Sequence, residues 1–259
     1  MTVPRHHRQV EHGYACGEET QGRIIAAAIK LFGEHGFEGA STRDIAAAAG
    51  VNAPALQYYF DNKEGVYLAC VEHIAARVWE HLQPSITAAQ ELLERQAGDT
   101  ELIEAFCAIQ DAKAELMFKV QDADADDWRL FMARQQTGAG PPASFQKFQE
   151  LLNGRMSGVT AGIVARLLGK RAIDDEVLIR TMALSGQLLV FQLMRRSALT
   201  ALGWDKLDGE RLTLIKDVIR GQTVALLRAV AAGRVRRDRG RRARAVGVRG
   251  RRARDRGGA

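Results

Sequence analysis

The stretch from Ser41 to Lys63, STRDIAAAAGVNAPALQYYFDNK, constrains this chain more than any other, because its punctuation leaves room only for two short helices and a tight turn. Ser41 with Asp44 three positions on has the spacing of a capping box, so a helix begins near Thr42. Gly50 tolerates the left-handed conformation that ends helices, and Asn52 is a good cap for the next one. Pro54 has no backbone N–H and fits only the first turn of a helix starting at Ala53, which fixes that boundary from both sides. Ile45, Ala49, Val51 and Leu56 then face inward, and Thr42, Arg43, Ala53, Ala55, Gln57 and Tyr58 face out. Two such helices make a helix-turn-helix, in which the second helix enters a major groove.

Gly36-Phe37, Thr42-Arg43-Asp44-Ile45-Ala46, Ala49-Gly50-Val51, Leu56 to Phe60 and Asn62-Lys63-Glu64 together resemble the N-terminal domain of the TetR family of bacterial transcriptional regulators, over about residues 19–68. Gln57 stands where that family most often has Tyr, and Tyr58 where it often has His, so this chain's base preferences are its own. The resemblance implies double-stranded operator DNA as partner, contacted by Thr42, Arg43, Ala53, Pro54, Ala55, Gln57, Tyr58, Tyr59 and Lys63. Arg is the common partner of guanine and Gln of adenine. Base reading is therefore expected from Arg43, Gln57 and Tyr58. Thr42, Tyr59 and Lys63 are expected to hold the DNA backbone, with Lys63 at a helix start where amides and ammonium both meet phosphate.

The rest of the chain reads as all-α. Pro is scarce, helix formers dominate, and no long alternating Val/Ile/Thr run argues for a sheet. The expected architecture is a three-helix helix-turn-helix domain followed by a helical ligand-binding and dimerisation domain, about nine helices in all. Its boundaries are a disordered arm over 1–17, the reader over 18–62, the regulatory and dimerisation body over 63–233 and a disordered Arg-rich tail over 234–259. Ile24, Ile25, Ala28, Ile29, Leu31 and Phe32 give the first helix its apolar face, and Pro84 is expected to kink or end the fourth.

Net charge is +6, but twelve arginines and two aspartates fall within residues 234–259, so the tail carries +10 and the remainder −4. Basicity here belongs to the tail, which has too little apolar surface to fold alone and could add salt-sensitive attraction to DNA. Cys16, Cys70 and Cys107 match no zinc or disulfide spacing, and His6, His7 and His12 with Cys16 sit on an arm too flexible to make a metal site; neither metal nor cofactor is expected. Arg5 and Arg8 offer the arm a minority role beside the DNA. With no spanning apolar run and no signal peptide, the expected location is the cytoplasm, on the nucleoid, away from membranes.

Trp79, Phe106, Phe118, Trp128, Phe131, Met132, Phe145, Phe148 and Met156 are the candidate lining of an apolar ligand cavity among the middle helices. Two terminal helices, Asp174 to Leu199 and Asp208 to Ala232, form an antiparallel hairpin, and Leu184, Leu188, Phe191, Ile215, Ile219 and Leu226 are its candidate homodimer face. Phe145-Gln146-Lys147-Phe148, Leu167-Leu168-Gly169, Ser185 to Leu189 and Arg195-Arg196 make residues 128–232 similar to the C-terminal domain of the CerR (CecR) subgroup. The resulting expectation is a ligand-responsive regulator, most simply a repressor on a palindromic operator that an unknown inducer releases. A tail-driven nucleic-acid coater is the alternative. An enzyme is the weakest reading, since no nucleophile elbow, phosphate-binding glycine loop or metal spacing is present.

Overall fold

The computed structural model describes the backbone of residues 5–119 and 124–254, with side chains over 17–116 and 127–236 except 153, 155 and 192. All regular structure among them is helical: α1 (Arg5–Gly39), α2 (Thr42–Ala48), α3 (Ala53–Phe60), α4 (Lys63–Glu94), α5 (Asp99–Lys119), α6 (Asp124–Gln136), α7 (Pro142–Phe148), α8 (Gly154–Leu168), α9 (Asp175–Ser185), α10 (Leu189–Leu193), α11 (Arg195–Leu202) and α12 (Gly209–Arg254). The count exceeds nine because two expected long helices are divided. A π turn at Gln149–Asn153 separates α7 from α8, and a 3-10 turn at Gly186–Leu188 with a break at Met194 splits the first arm of the hairpin. α4 runs through Pro84 without ending. At the N-terminus, α1 reaches back to Arg5, where an arm is expected; the segment after Pro4 has no further proline and continues the helical register by local propensity. α12 likewise carries its helix through the Arg/Ala-rich tail to Arg254. The side chains of His6, His7, His12, Cys16 and Phe118 lie outside the described residues.

The chain forms two compact units, Met1–His81 with Leu116–Arg155, and Leu82–Glu115 with Met156–Ala259. In the first, Ile24, Ile29, Phe32, Ile45, Leu56, Phe60, Val66, Tyr67 and Ile74 make one buried cluster that also takes Phe131 from α6. α6 is fastened to α1 by its own side chains: Arg134 donates to Gly33 O at 2.7 Å and Glu34 O at 3.0 Å, the unsatisfied carbonyls near the helix end. Gly33 permits this approach, since a Cβ there would lie 3.0 Å from Asp127 O. Behind it, the Tyr67 hydroxyl donates to Gln135 Oε1 at 3.1 Å, and burial pushes the phenol well above its ordinary pKa, so it stays a donor. A Cβ on Gly140 would lie 2.6 Å from that hydroxyl, which explains glycine at the α6–α7 loop.

In the second unit α5 and α12 are joined by Lys216 to Glu115 at 2.8 Å, and by Arg220 to Asp111 at 3.0 Å and to Glu104. The 3-10 turn takes its hydrogen bond within itself, and the carbonyl of Leu184 accepts from Gln110 Nε2 of α5 at 2.9 Å instead. Arg234, the first residue of the expected tail, is held by Asp99 at 2.7 Å and by Arg166 O at 3.0 Å, and so belongs to the body.

Candidate nucleic-acid interface

The two helices of the reader are set by the caps their sequence announces. Ser41 Oγ accepts from Asp44 N at 3.1 Å, Asn52 Oδ1 accepts from Ala55 N at 2.8 Å, and Gly50 takes φ +66° in the turn between them. A third cap starts α4: Asp61 is at φ +52°, and Asn62 Oδ1 accepts from Gly65 N at 2.9 Å.

Ile45, Ala49 and Leu56 are buried, and Val51 packs against them, which turns the opposite sides of α2 and α3 outward. Arg43, Ala53, Pro54, Gln57 and Tyr58 are exposed, while Thr42 and Ala55 are partly so. Tyr58 is 84% exposed, an unusual state for a tyrosine with no structural task, and its ring meets that of Tyr59 edge-on at 5.3 Å. Tyr59 leans on the buried cluster, so of the two tyrosines only Tyr58 is free to touch a partner along its whole length.

Lys63 is placed differently from expectation. Its ammonium donates to Phe37 O at 2.9 Å and sits 4.4 Å from the centroid of the Phe37 ring, with Glu38 at 3.9 Å. It is therefore engaged in closing the end of α1, where loose carbonyls attract a cation. Lys63→Ala is expected to lower stability by about 1 to 2 kcal/mol, read by thermal melting, through loss of the charged hydrogen bond and the ring contact. A cation the sequence reading passed over lies nearby instead: Arg23 of α1 is exposed, and its guanidinium would be 3.9 Å from a Cβ on Gly50. Only its position one step before the buried Ile24 hinted at that outward direction.

The candidate ligand lining does not converge. Phe131 is buried in the reader's cluster and Trp128 and Met132, on the same helix α6, pack against it together with Phe148 at the end of α7. Phe145 is 51% exposed, Trp79 and Met156 are half-buried, and Phe106 lies fully buried in the second unit. A cavity of about 570 Å³ does exist in that second unit, between α8, α9 and α12, lined by Val164, Leu168, Arg180, Leu227 and two residues assigned above to a dimer face, Leu184 and Leu226.

The dimer set is also redistributed. Leu184, Leu188, Ile215 and Ile219 are buried in the chain's own core and Phe191 is half-buried, leaving Leu226 as the one exposed member. The outward apolar residues sit one step round each helix: Leu178, Ile179, Met182, Leu189, Val190 and Leu193 on the first arm, and Leu214 and Val218 with Leu226 on α12. Either face of such a helix satisfies the same apolar period, so periodicity alone selects neither.

Family models match both halves of the chain. Residues 24–70 match the bacterial regulatory proteins of the tetR family, and residues 102–230 match the C-terminal domain of the HTH-type transcriptional dual regulator CecR. The CecR of Shigella flexneri is 32% identical over 203 residues, covering 78% of this chain and 89% of that protein. The chain belongs to the TetR family. Its members are transcriptional regulators rather than enzymes, and the CecR-type C-terminal domain places it within a subgroup. Solved TetR-like structures share the fold at low identity. A transcriptional regulator from Pseudomonas aeruginosa PAO1 aligns with a TM-score of 0.54 and 20% identity, over 81% of this chain and 93% of that one. AibR, in complex with isovaleryl coenzyme A and operator DNA, aligns with a TM-score of 0.52 and 15% identity, over 78% and 97%. Among the described residues of this TetR-family chain, no single helix is long and apolar enough to cross a membrane.

Proposed function

We propose that this TetR-family regulator binds a palindromic operator as a homodimer, represses transcription there and is released by a small-molecule inducer. The observation that carries the DNA half of this reading is the exposed, uncommitted trio Arg43, Gln57 and Tyr58 on the outward side of α2 and α3. Arg43 and Gln57 read base edges, Tyr58 contacts a base or the adjoining sugar, and Thr42, Ala53, Pro54 and Ala55 lie against the backbone. Arg23 adds phosphate attraction from α1, and Tyr59 acts by holding Tyr58 in place.

Arg43→Ala is expected to weaken operator binding by about 1 to 3 kcal/mol and to relax selection at one base position, measured by titration against the operator and single-base variants. Equal loss on operator and random duplex would remove Arg43 from the base readers.

One reader covers only a short half-site, so a second copy is needed, and the outward apolar stripes on α9, α10 and α12 supply a self-complementary surface for it. Regulation follows if the inducer binds the non-reading conformation more tightly than the reading one. The protein acts in the cytoplasm, on the nucleoid. AibR, solved with isovaleryl coenzyme A and operator DNA, has both kinds of partner on a similar fold, and the name of the Shigella relative, a dual regulator, makes the sign of control worth measuring directly.

The deciding experiment is a footprint of the purified protein on the DNA upstream of its own gene, coupled to a promoter reporter. Protection of two half-sites centred about 34 to 36 Å apart, or a multiple, with reduced reporter output, supports the proposal. Uniform coverage without a boundary would favour the tail-driven coater.

A further inference from the structure

The DNA-reading unit is short of the charge that its partner demands. Residues 18–62 hold three cations, Arg23, Lys30 and Arg43, against six acids, a net charge of −3, and all nine side chains are exposed. Lys63, next in the chain, is engaged by Phe37 O and the Phe37 ring. With Arg43 reading a base, Arg23 and Lys30 are what remain for phosphate. Duplex DNA carries about one negative charge per 1.7 Å of its axis, and a protein that holds it through about 6 to 10 phosphates draws much of its affinity from them. Backbone amides at helix starts position a phosphate but bring no net charge. The base-reading surface of this chain therefore lacks the general attraction that brings a regulator onto DNA.

A surplus of that charge stands elsewhere in the sequence. Residues 237–259 hold ten arginines and two aspartates, a net charge of +8. In the second unit, Glu104, Asp111 and Glu115 are paired with Arg220 and Lys216, Asp99 with Arg234, and Asp174 and Glu176 with Lys170. All of these partners precede residue 237, so these acids have their cations before the surplus begins. The composition of the stretch also selects what it can meet. Val246 and Val248 are its large apolar residues, too few for the apolar face that a membrane-surface helix or a groove-bound helix buries. It has no aromatic residue on which the bases of a single strand could stack. At about 100° per residue its arginines follow no single helical stripe, which suits a partner charged along its whole length.

We propose that residues 237–259 are the phosphate-binding arm of this regulator, supplying the sequence-independent attraction to duplex DNA that its acidic reader lacks. Arg43, Gln57 and Tyr58 choose the site, and the arm holds the chain on whatever duplex it meets. The two contributions are separable. Charge neutralisation sets affinity and salt dependence on every duplex alike, whereas base contacts set the ratio between one duplex and another. The inference rests on the reading of the chain as an operator-binding regulator.

The test uses the full-length protein and a full-length variant combining Arg239→Gln, Arg241→Gln, Arg242→Gln, Arg244→Gln, Arg249→Gln and Arg251→Gln. A third protein has Lys at the same six positions. Each is titrated by fluorescence anisotropy against a duplex from upstream of its own gene and a shuffled duplex of equal length, from about 50 to 200 mM salt. The Gln variant is expected to bind both duplexes at least about tenfold more weakly at low salt, by a common factor. Its log affinity should fall less steeply with log salt, the slope being shallower by at least about 3. The Lys variant should stay within about threefold of wild type, since it keeps the charge. An unchanged slope in the Gln variant, a loss confined to the upstream duplex, or an equal loss in the Lys variant overturns the arm. Loss of attachment to phosphatidylglycerol vesicles by the Gln variant, with duplex affinity intact, assigns the stretch to membranes and overturns it as well. If the slope behaves as expected but the wild type shows no preference for its upstream duplex, the arm stands and the operator reading fails.

Discussion

Gly65→Ala is expected to lower the melting temperature by about 5 to 10 °C and to abolish specific operator binding, the largest effect of any single methyl group in the reader. Gly65 lies in the first turn of α4, where its amide donates to Asn62 Oδ1 at 2.9 Å. A Cβ at this position would fall inside contact distance of the Phe60 carbonyl oxygen, which is backbone and ends the recognition helix α3. No rotamer change can relieve that clash, so α3 and α4 must separate at a junction already committed to a positive φ at Asp61. Overpacking of this kind costs about 2 to 3 kcal/mol, and the strain falls on the segment that aims Gln57 and Tyr58. Gly158→Ala in α8 is the matched control. Nothing lies within 4 Å of its Cβ position, so alanine there should stabilise by about 0.5 to 1 kcal/mol through helix propensity. Comparable melting of the two variants would remove the steric account.

The second large effect concerns association. Ile179 and Met182 are 65% and 70% exposed and lie on one side of α9, so a glutamate at each costs the isolated chain little. At a twofold contact the same pair places four uncompensated charges in an apolar interface. Ile179→Glu/Met182→Glu is therefore expected to convert the protein to monomer at micromolar concentration in sedimentation velocity, with operator affinity down by at least about a hundredfold and an unchanged helical circular-dichroism spectrum at 25 °C. Ile215→Ala makes the contrast. Ile215 is 4% exposed, so its truncation should cost about 2 to 5 kcal/mol of stability rather than dissociate two chains. A double variant that stays dimeric would place the interface elsewhere.

What could be read from residues alone follows from the range of the interactions concerned. Ser41, Gly50, Asn52 and Pro54 act within three or four positions of themselves, and each does what its neighbours in the chain require. Lys63 was legible as the start of a helix but not as the closing group of α1, because Phe37 lies 26 positions away. Arg134 reaches Gly33 across 101 positions, and nothing in the local period of α6 announces it. Phe131 and Phe148 read as apolar from the sequence, but their packing with the reader's cluster depends on partners far away in the chain. The hairpin shows a different limit. Its two arms are apolar on more than one side, and whether Ile215 or Leu214 faces in is decided by α5, which offers Asp111, Glu115 and Glu104 to Arg220 and Lys216 and so fixes the rotation of α12.

The grip on Arg234 makes the end of the folded body a chemical boundary. Trypsin needs an arginine presented in an extended, accessible segment, and Arg234 is tied to Asp99 and Arg166 O with only 20% of its side chain exposed. The arginines that follow Arg236 have almost no large apolar residues among them to resist opening. Brief digestion of the native protein should therefore trim the chain to a species ending close to residue 236 and pause there, visible by mass spectrometry. The same preparation, before and after the protease, becomes its own tail-deletion experiment: the basic extension can be removed from a body that never leaves its native state.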